Sequence, residues 1–463
     1  MASITRNFKN IKALVSQDEM VTNYNNMLNK VTNMIEKQGP IYSVWISFQV
    51  GINNPIIFNT ASTDLKQNLI AELTVEKNGA GVANSFILKV NYDPFNHGQN
   101  PSDKIEALDA LVAEILSYDF GEDVDPNKQL RGYIQYGYNY TEDENLISPK
   151  YQFIITKASS VVQWSSGMTV YTFEGVSEVA PSCNIEASFE AVENRNLISL
   201  VKDTLYYYYG DPDNPPYGIE QGRETISGDT KYLIDVTEEM ERDAPEITWN
   251  AVNKASPMQY CETVLKDQMS KSDKEKLEQK YEETGEEIKT YEKPRYIIYL
   301  TDTDGNKTIH IAYINPTDTE NNLKIDYKFS WNLQSKNIVL EWNPETDLFF
   351  YLVQQYQINY ENRMYEQKLK TATDNENKEE ITKEYESKMG TLSDQAFEMY
   401  NATLTIVGIP ADPPLASEVQ IIPRILESTS RTQGVYMING CTDNITTKGA
   451  YSSQLKVTRV RSL

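Results

Sequence analysis

The sequence predicts a mainly β chain with an α+β middle module, a helix ahead of the first β region and helical insertions between later strands. Three observations carry this. Apolar residues alternate with polar ones in run after run, the period of a half-buried strand. Tyrosine is abundant, 31 against 13 Phe and 5 Trp, and it favours pleated, partly wet surfaces. Helix-spaced apolar stripes are few and fall in separate places along the 463 residues, a length that fits about three domains.

The first stripe opens at Ser16 and Glu19, an S-x-x-E capping box, and runs through Met20, Val21, Tyr24, Met27, Leu28, Val31, Met34 and Ile35 to the stop at Gly39-Pro40. Its apolar face docks either on its own domain or on a neighbouring subunit. The run IYSVWISFQV then alternates, and AELTVEKNGAGVANSFILKVNY reads as a hairpin around Asn78-Gly79. Ser102 caps a helix carrying Ile105, Leu108, Leu111, Val112 and Ile115. RGYIQYGYNY, KYQFIITKA and MTVYTFEGVSE follow as strands. CNIEASFEAV, alternating at Ile185, Ala187, Phe189 and Ala191, is expected to close this region as a β barrel.

The predicted organisation is a helical arm over 1–39, a first β barrel over 40–193, a mixed α/β module over 194–332 and a second β barrel over 333–463. In the mixed module, the helix NLISLVKDTLYYYY precedes short strands and a charged helical insert over 256–290. One helix of that insert bears Met258, Cys261, Val264, Leu265 and Met269, and a second is expected to start at a Ser272/Glu275 box. The Glu-, Lys- and Asn-rich stretch 354–399 interrupts the last β region and reads as a projecting helical hairpin.

No motif for chemistry survives inspection of its context. NGAGVAN lacks the third glycine of a dinucleotide loop and leads into a strand, so it is a turn. Starting from Asp302, DTDGN has Lys307 and Tyr313 where a calcium loop needs Gly and Glu. The two histidines, His97 and His310, have no metal or triad spacing. Cys183, Cys261 and Cys441 are scattered and read as reduced thiols. The expectation is therefore no catalytic, cofactor-binding or metal-binding residue, no cofactor, and no enzyme activity.

The net charge of −24 repels phosphate backbones and disfavours sequence-specific nucleic-acid binding. No apolar run reaches membrane-spanning length. The start MASITRNFKN has no signal-peptide pattern, so the N-x-T matches at Asn139, Asn306, Asn401 and Asn444 have no secretory context.

Toward the end stand ATLTIVGIPADPPLASEVQIIPRI and TQGVYMINGCTDNITTKGAYSSQLKVTRV, with a Gly408-Ile409-Pro410 corner, then Gly434, Tyr436 and Ile438, then a Gly449/Tyr451 hairpin corner and the strand of Leu455 and Val457. This pattern resembles the closing barrel of the central baseplate hub proteins of contractile-tailed phages and of related type VI secretion spike proteins. RGYIQYGYNY through GVSE resembles their first barrel, NLISLVKDTL the helix opening the middle module, and NIVLEWNPETDLFFYL the entry to the second barrel. The likeness covers about 40–200 and 323–463; it departs at Ala416-Ser417, where a glycine is common, and near Asp443-Asn444, where a histidine is often seen.

The resemblance implies two tail-tube-like barrels per chain and a homotrimeric ring joining a sixfold tube to a threefold spike while letting DNA pass. It implies the tail tube, central spike and other baseplate proteins as partners, and a virion tail assembled in the host cytoplasm. On that reading the acidity should line the axial channel, and Lys456, Arg459 and Arg461 should form a basic patch away from it. The competing readings are another tube or baseplate component, the hub of a secretion or bacteriocin particle, or a β-rich protein that binds or cleaves carbohydrate.

Overall fold

The computed structural model describes residues 17–38, 44–59, 69–78, 84–93, 103–117, 130–138, 146–227, 231–266, 268–284, 293–303, 306–315, 324–330, 338–344, 348–372, 377–378, 381–382, 385, 401–413, 415, 418–422 and 434–461. Helix α1 (Gln17–Gln38) buries Met20, Val21, Tyr24, Val31 and Met34, and all but Met20 join the core of the β strands that follow. Its apolar face is thus covered within its own chain. The Ser16 cap and the Ser102 cap lie outside the described residues.

The first β region contains β1 (Val44–Val50), β2 (Ile56–Asn59), β3 (Ile70–Asn78), β4 (Ser85–Tyr92), helix α2 (Asp103–Leu116), β5 (Arg131–Tyr138), β6 (Leu146–Ile147), β7 (Tyr151–Gln163) and β8 (Met168–Val176). Alternation sets the burial. In β1 every second residue from Val44 to Val50 faces the core and those between are half-buried. The antiparallel order is β2–β1–β5–β7–β8–β4–β3. The Asn84 side chain accepts from the Asn78 backbone N–H at 2.9 Å, tying the end of β3 to the start of β4; from Gly79 on, the expected Asn78-Gly79 turn itself lies outside the described residues.

The middle module opens with α3 (Ala180–Cys183), β9 (Ala187–Phe189), β10 (Val192–Asn196), α4 (Leu197–Tyr209), β11 (Leu233–Asp235), α5 (Glu238–Asp243), β12 (Glu246–Trp249) and β13 (Val252–Ala255). It continues through α6 (Pro257–Leu265), α7 (Lys271–Thr284), β14 (Arg295–Thr303) and β15 (Asn306–Ile314). Two expectations are corrected here. CNIEASFEAV does not close the first β region: β9 pairs with β13, Ile185 is exposed, and Phe189 stacks on Tyr260 at 3.9 Å. The run is amphipathic enough for a strand, but its neighbours belong to the middle module.

The second correction concerns the charged insert, which divides. Helix α6 is core, with Met258, Tyr260, Cys261, Val264 and Leu265 buried, and only α7 is a surface helix. The cap of α7 is Ser270, whose hydroxyl accepts from the Asp273 N–H at 3.3 Å. Ser272 instead donates to Asp243. Two S-x-x-acid patterns overlap at this point, and local pattern alone does not separate them.

The last region has β16 (Lys324–Ser330), β17 (Val339–Pro344), α8 (Leu348–Thr371), β18 (Asn401–Val407), β19 (Glu418–Ile422), β20 (Gly434–Thr446) and β21 (Ala450–Arg461). Its order is β17–β18–β21–β20–β19–β16, with β16 and β19 parallel. The interrupting segment begins at Leu348, earlier than expected, and a return stretch folds back on α8, where Tyr385 stacks on Tyr365 at 4.2 Å. Residues 386–400 lie outside the described residues.

The chain is mainly β, as the alternation predicts. The two β regions are not separately bounded: β3 pairs with β20 over seven residues, Asn78–Glu72 against Gly440–Thr446, so one sheet runs across both. One core cluster likewise spans them, from Val21 to Val457, while the middle module holds a second around α4, α6, β14 and β15.

Candidate assembly surface and the seam beneath it

The ladder between β3 and β20 gives the sheet one face turned to the core and one turned outward. Register fixes which side chains share the outer face. One row reads Lys157, Glu174, Ile87, Thr74, Asn444 and Ser452 across β7, β8, β4, β3, β20 and β21. A parallel row reads Ser85, Glu76, Thr442, Gln454, Thr405 and Glu341, reaching β18 and β17. A third runs Thr172, Lys89, Glu72 and Thr446. Hydroxyls and amides dominate. The carboxylates Glu72, Glu76, Glu174 and Glu341 are nearly matched by Lys89, Lys157 and Lys456, the last opposite Thr403 and next after Gln454 on the outward side of β21, so this face is polar and not strongly acidic.

Beneath the same ladder lies a buried ionic seam. On the core side of β3 the row Ala71, Leu73, Val75 ends in Lys77, and on the core side of β20 Asp443 sits between Cys441 and Ile445. Lys77 Nζ is 2.9 Å from Asp443 Oδ2, with both side chains shut off from solvent. The Tyr136 hydroxyl donates to the same carboxylate at 2.6 Å, and Ser453, opposite Asp443 on β21, donates to its other oxygen. Lys77 also donates to the Ala411 carbonyl at 3.2 Å and lies over the Tyr151 ring at 4.7 Å, while the Tyr151 hydroxyl donates to Asp412 at 2.6 Å. Burial opposes the Lys77 charge, yet Asp443 and Asp412 hold its ammonium above the ordinary lysine value. Burial and these same carboxylates push Tyr136 and Tyr151 well above the usual phenol range, so both remain donors.

The Gly408-Ile409-Pro410 corner seats on this seam. Gly408 donates its N–H to the Tyr451 carbonyl at 2.9 Å and accepts from the Tyr138 hydroxyl at 3.0 Å. A Cβ at Gly408 would stand 2.1 Å from the Tyr451 ring, so only glycine fits the approach. The corner and the Tyr451 hairpin, noted apart in the sequence, are one contact that binds the second β region to the first.

A second charged junction holds the first β region to the middle module. The buried Glu178 carboxylate is 3.0 Å from Arg131 Nε and also receives Lys307 and Gln152. Beside it lies Asp302, its carboxyl pushed up to about 7 by burial, with Lys307 pulling it down and Glu178 adding to the rise.

Of the residues weighed for chemistry, His310 is buried on β15 between Asp235 (2.8 Å from Nδ1) and Thr301 (3.0 Å from Nε2), stacked on Tyr299 at 4.6 Å. Spacing did not reveal this trio, because its members sit on three adjacent strands, β11, β15 and β14. Thr301 and the ring are both buried, so the trio clamps strands together instead of presenting a nucleophile. His97 lies outside the described residues. Cys261 and Cys441 are buried, Cys183 is half-buried, and all three are free thiols. Among the described residues no group of three or more His, Cys, Asp or Glu could hold a metal ion. No described helix is long and apolar enough to cross a membrane.

The terminal basic patch is corrected. Lys456 is exposed, but Arg459 is only 4% exposed, set beside Tyr436 on β20. The strand places them in different environments, and the side chain of Arg461 lies outside the described residues.

No family model matches the sequence, and no curated protein matches it. Among solved structures, the tail protein from Neisseria meningitidis MC58 aligns at 9% identity over 90% of this chain and 97% of its own, with a TM-score of 0.45. The 43 kDa tail protein of prophage MuSo2 from Shewanella oneidensis aligns at 10% identity over 90% and 98%, TM-score 0.42. The E. coli c3393 protein, a component of the type VI secretion system, aligns at 7% identity over 89% and 77%, TM-score 0.39.

Proposed function

We propose that this chain is a structural hub of a phage-like tail baseplate, with no enzymatic activity, that closes as a homotrimer around an axial channel. The carrying observation is the outer face that crosses both β regions without a break at the β3–β20 ladder. Two laterally fused β units per chain give six units in a closed threefold ring, the number needed to meet a sixfold tube above and a threefold spike below. The sequence resemblance to hub proteins points the same way.

The outer face suits a channel wall for DNA. Tight binding to a phosphate backbone comes from lysines and arginines that displace its counterions. A wall of Ser, Thr, Asn and Gln with nearly balanced charge offers few such contacts and little repulsion. This replaces an acidic lining as the physical basis of passage; exposed carboxylates stand elsewhere on the surface, as at Glu186, Glu190 and Glu193 around β9 and β10. The partners on this reading are the tail tube protein, the spike and neighbouring baseplate proteins, in a virion tail assembled in the host cytoplasm. Helix α8, where Leu352, Val353 and Tyr356 are 53%, 48% and 76% exposed, is the arm that meets one such neighbour.

Light scattering combined with micrographs of the purified chain tests this. A particle of three times the monomer mass with an axial hole is expected. A compact monomer or dimer that forms no ring even with spike and tube proteins present would overturn it.

A further inference from the structure

A cavity of about 290 Å³ opens on the middle module, away from the sheet face and the seam, and is lined by Trp249, Val252, Ala255, Tyr260, Glu262 and Thr263. At the small end of ligand sites, it has room for a side-chain-sized group. Its walls are mostly aromatic and apolar: Trp249 ends β12, Val252 and Ala255 bracket a bulge in β13, and Tyr260 is fixed on α6 by its stack on Phe189. The neutral polar lining is Gln259 and Thr263, whose hydroxyl donates to the Gln259 carbonyl at 2.7 Å. Into these surroundings α6 brings one carboxylate. Glu262 Oε1 is buried and has no hydrogen-bond partner.

An anion in that position is costly unless donors reach it. The titratable groups facing it are the thiols of Cys183 on α3 and Cys261 on α6, and both stay neutral because burial pushes them up, Cys183 to about 11. The nearby cation Arg195, which faces Tyr260, is committed to Asp203 at 2.5 Å. Burial alone pushes the Glu262 carboxyl up to about 7. What the cavity lacks is therefore a cationic donor on an apolar stem. The aromatic surfaces of Trp249 and Tyr260 favour the same group.

We infer that this cavity binds an alkylammonium or alkylguanidinium group, with Glu262 as its counter-ion and Trp249 and Tyr260 as its walls. The group is either a lysine or arginine side chain of a partner protein or a free polyamine, and the inference stands apart from the hub reading.

Saturation-transfer NMR on the full chain tests it with n-butylguanidinium, guanidinium, n-butanol, blocked arginine amide and spermidine as probes. n-Butylguanidinium should bind at least fivefold more tightly than guanidinium or n-butanol at pH 8. Its affinity should fall about tenfold at pH 6, because a carboxyl with a pKa near 7 is then about nine-tenths protonated. Glu262→Gln, which removes charge and keeps shape, should lose about tenfold at pH 8 and show no such pH dependence. Trp249→Ala should weaken binding while keeping the pH dependence, which guards against a folding defect in the first variant. Tighter binding of blocked arginine than of spermidine assigns the group to a protein side chain, and the reverse assigns it to a free polyamine. Equal binding by wild type and Glu262→Gln, or n-butanol binding as well as n-butylguanidinium, overturns the inference.

Discussion

Replacing Lys77 by methionine removes the buried cation of the seam while keeping most of the volume of its stem. Asp443 would then remain shut off from solvent 2.9 Å from where the ammonium stood, with the Tyr136 and Ser453 hydroxyls and the weak Cys441 thiol as its neutral donors. Removing one partner of a buried pair costs about 3–5 kcal/mol, because the other charge is stranded. The ring contact to Tyr151 and the hydrogen bond to the Ala411 carbonyl go with it, which favours the upper half of that range.

Urea denaturation followed by near-ultraviolet circular dichroism is the assay, on the wild type, Lys77→Met, Asp443→Asn and the double variant. The double variant should recover at least about 1–2 kcal/mol relative to the sum of the singles, since they share one interaction. The pH dependence has a defined sign. The folded Lys77 value lies above the ordinary 10.5, so the pair contributes fully below that pH and its contribution falls as pH rises through the folded value. A loss under 1 kcal/mol for Lys77→Met at pH 7, or strict additivity in the double variant, would refute the reasoning.

Gly408→Ala places a methyl against the Tyr451 ring and should cost about 1–3 kcal/mol through overpacking, read as a lower urea midpoint; an unchanged midpoint would show that the corner has slack. Ser270→Ala should cost about 1 kcal/mol by uncapping α7, with Ser272→Ala costing less than half of that; the reverse order would restore the cap to Ser272. Asp302→Asn should raise stability at pH 8 by up to about 4 kcal/mol. The folded carboxyl titrates near 7 against an ordinary 3.8, so ionisation destabilises the fold increasingly between those values and fully above them. That gain should shrink by more than half at pH 5, measured by thermal melts, and a pH-independent change would contradict it.

Local structure was largely legible where a single period governs a whole element. The stripe from Met20 to Met34 and the alternation of VWISFQV both follow from one repeating geometry. Alternation in CNIEASFEAV shows that a strand forms and not which sheet receives it, and the strand pairs with β13 of the middle module. The seam was hidden for the same reason, since Lys77 and Asp443 meet only through the pairing of distant strands. A signal was nonetheless present: Lys77 falls at an inward position after Ala71, Leu73 and Val75, and Asp443 at an inward position between Cys441 and Ile445. Opposite charges breaking two apolar rows announce partners for each other. The His310 trio gave no comparable hint, because Asp235 and Thr301 are unremarkable in their own short strands.

The ladder between β3 and β20 also sets a clock. Thr74 and Asn444, which hydrogen-bond across it, are 370 residues apart. At about 5–20 residues per second, β3 leaves the ribosome roughly 20–70 s before its partner exists. Throughout that interval the first β region must hold an open strand edge in a crowded cell. Glu72, Glu76 and Lys77 along that edge are the charges that discourage a stray strand from adding to it. The lysine that later becomes the buried cation of the seam thus serves first as a guard, and its burial marks the moment when β20 has reached its place beside β3.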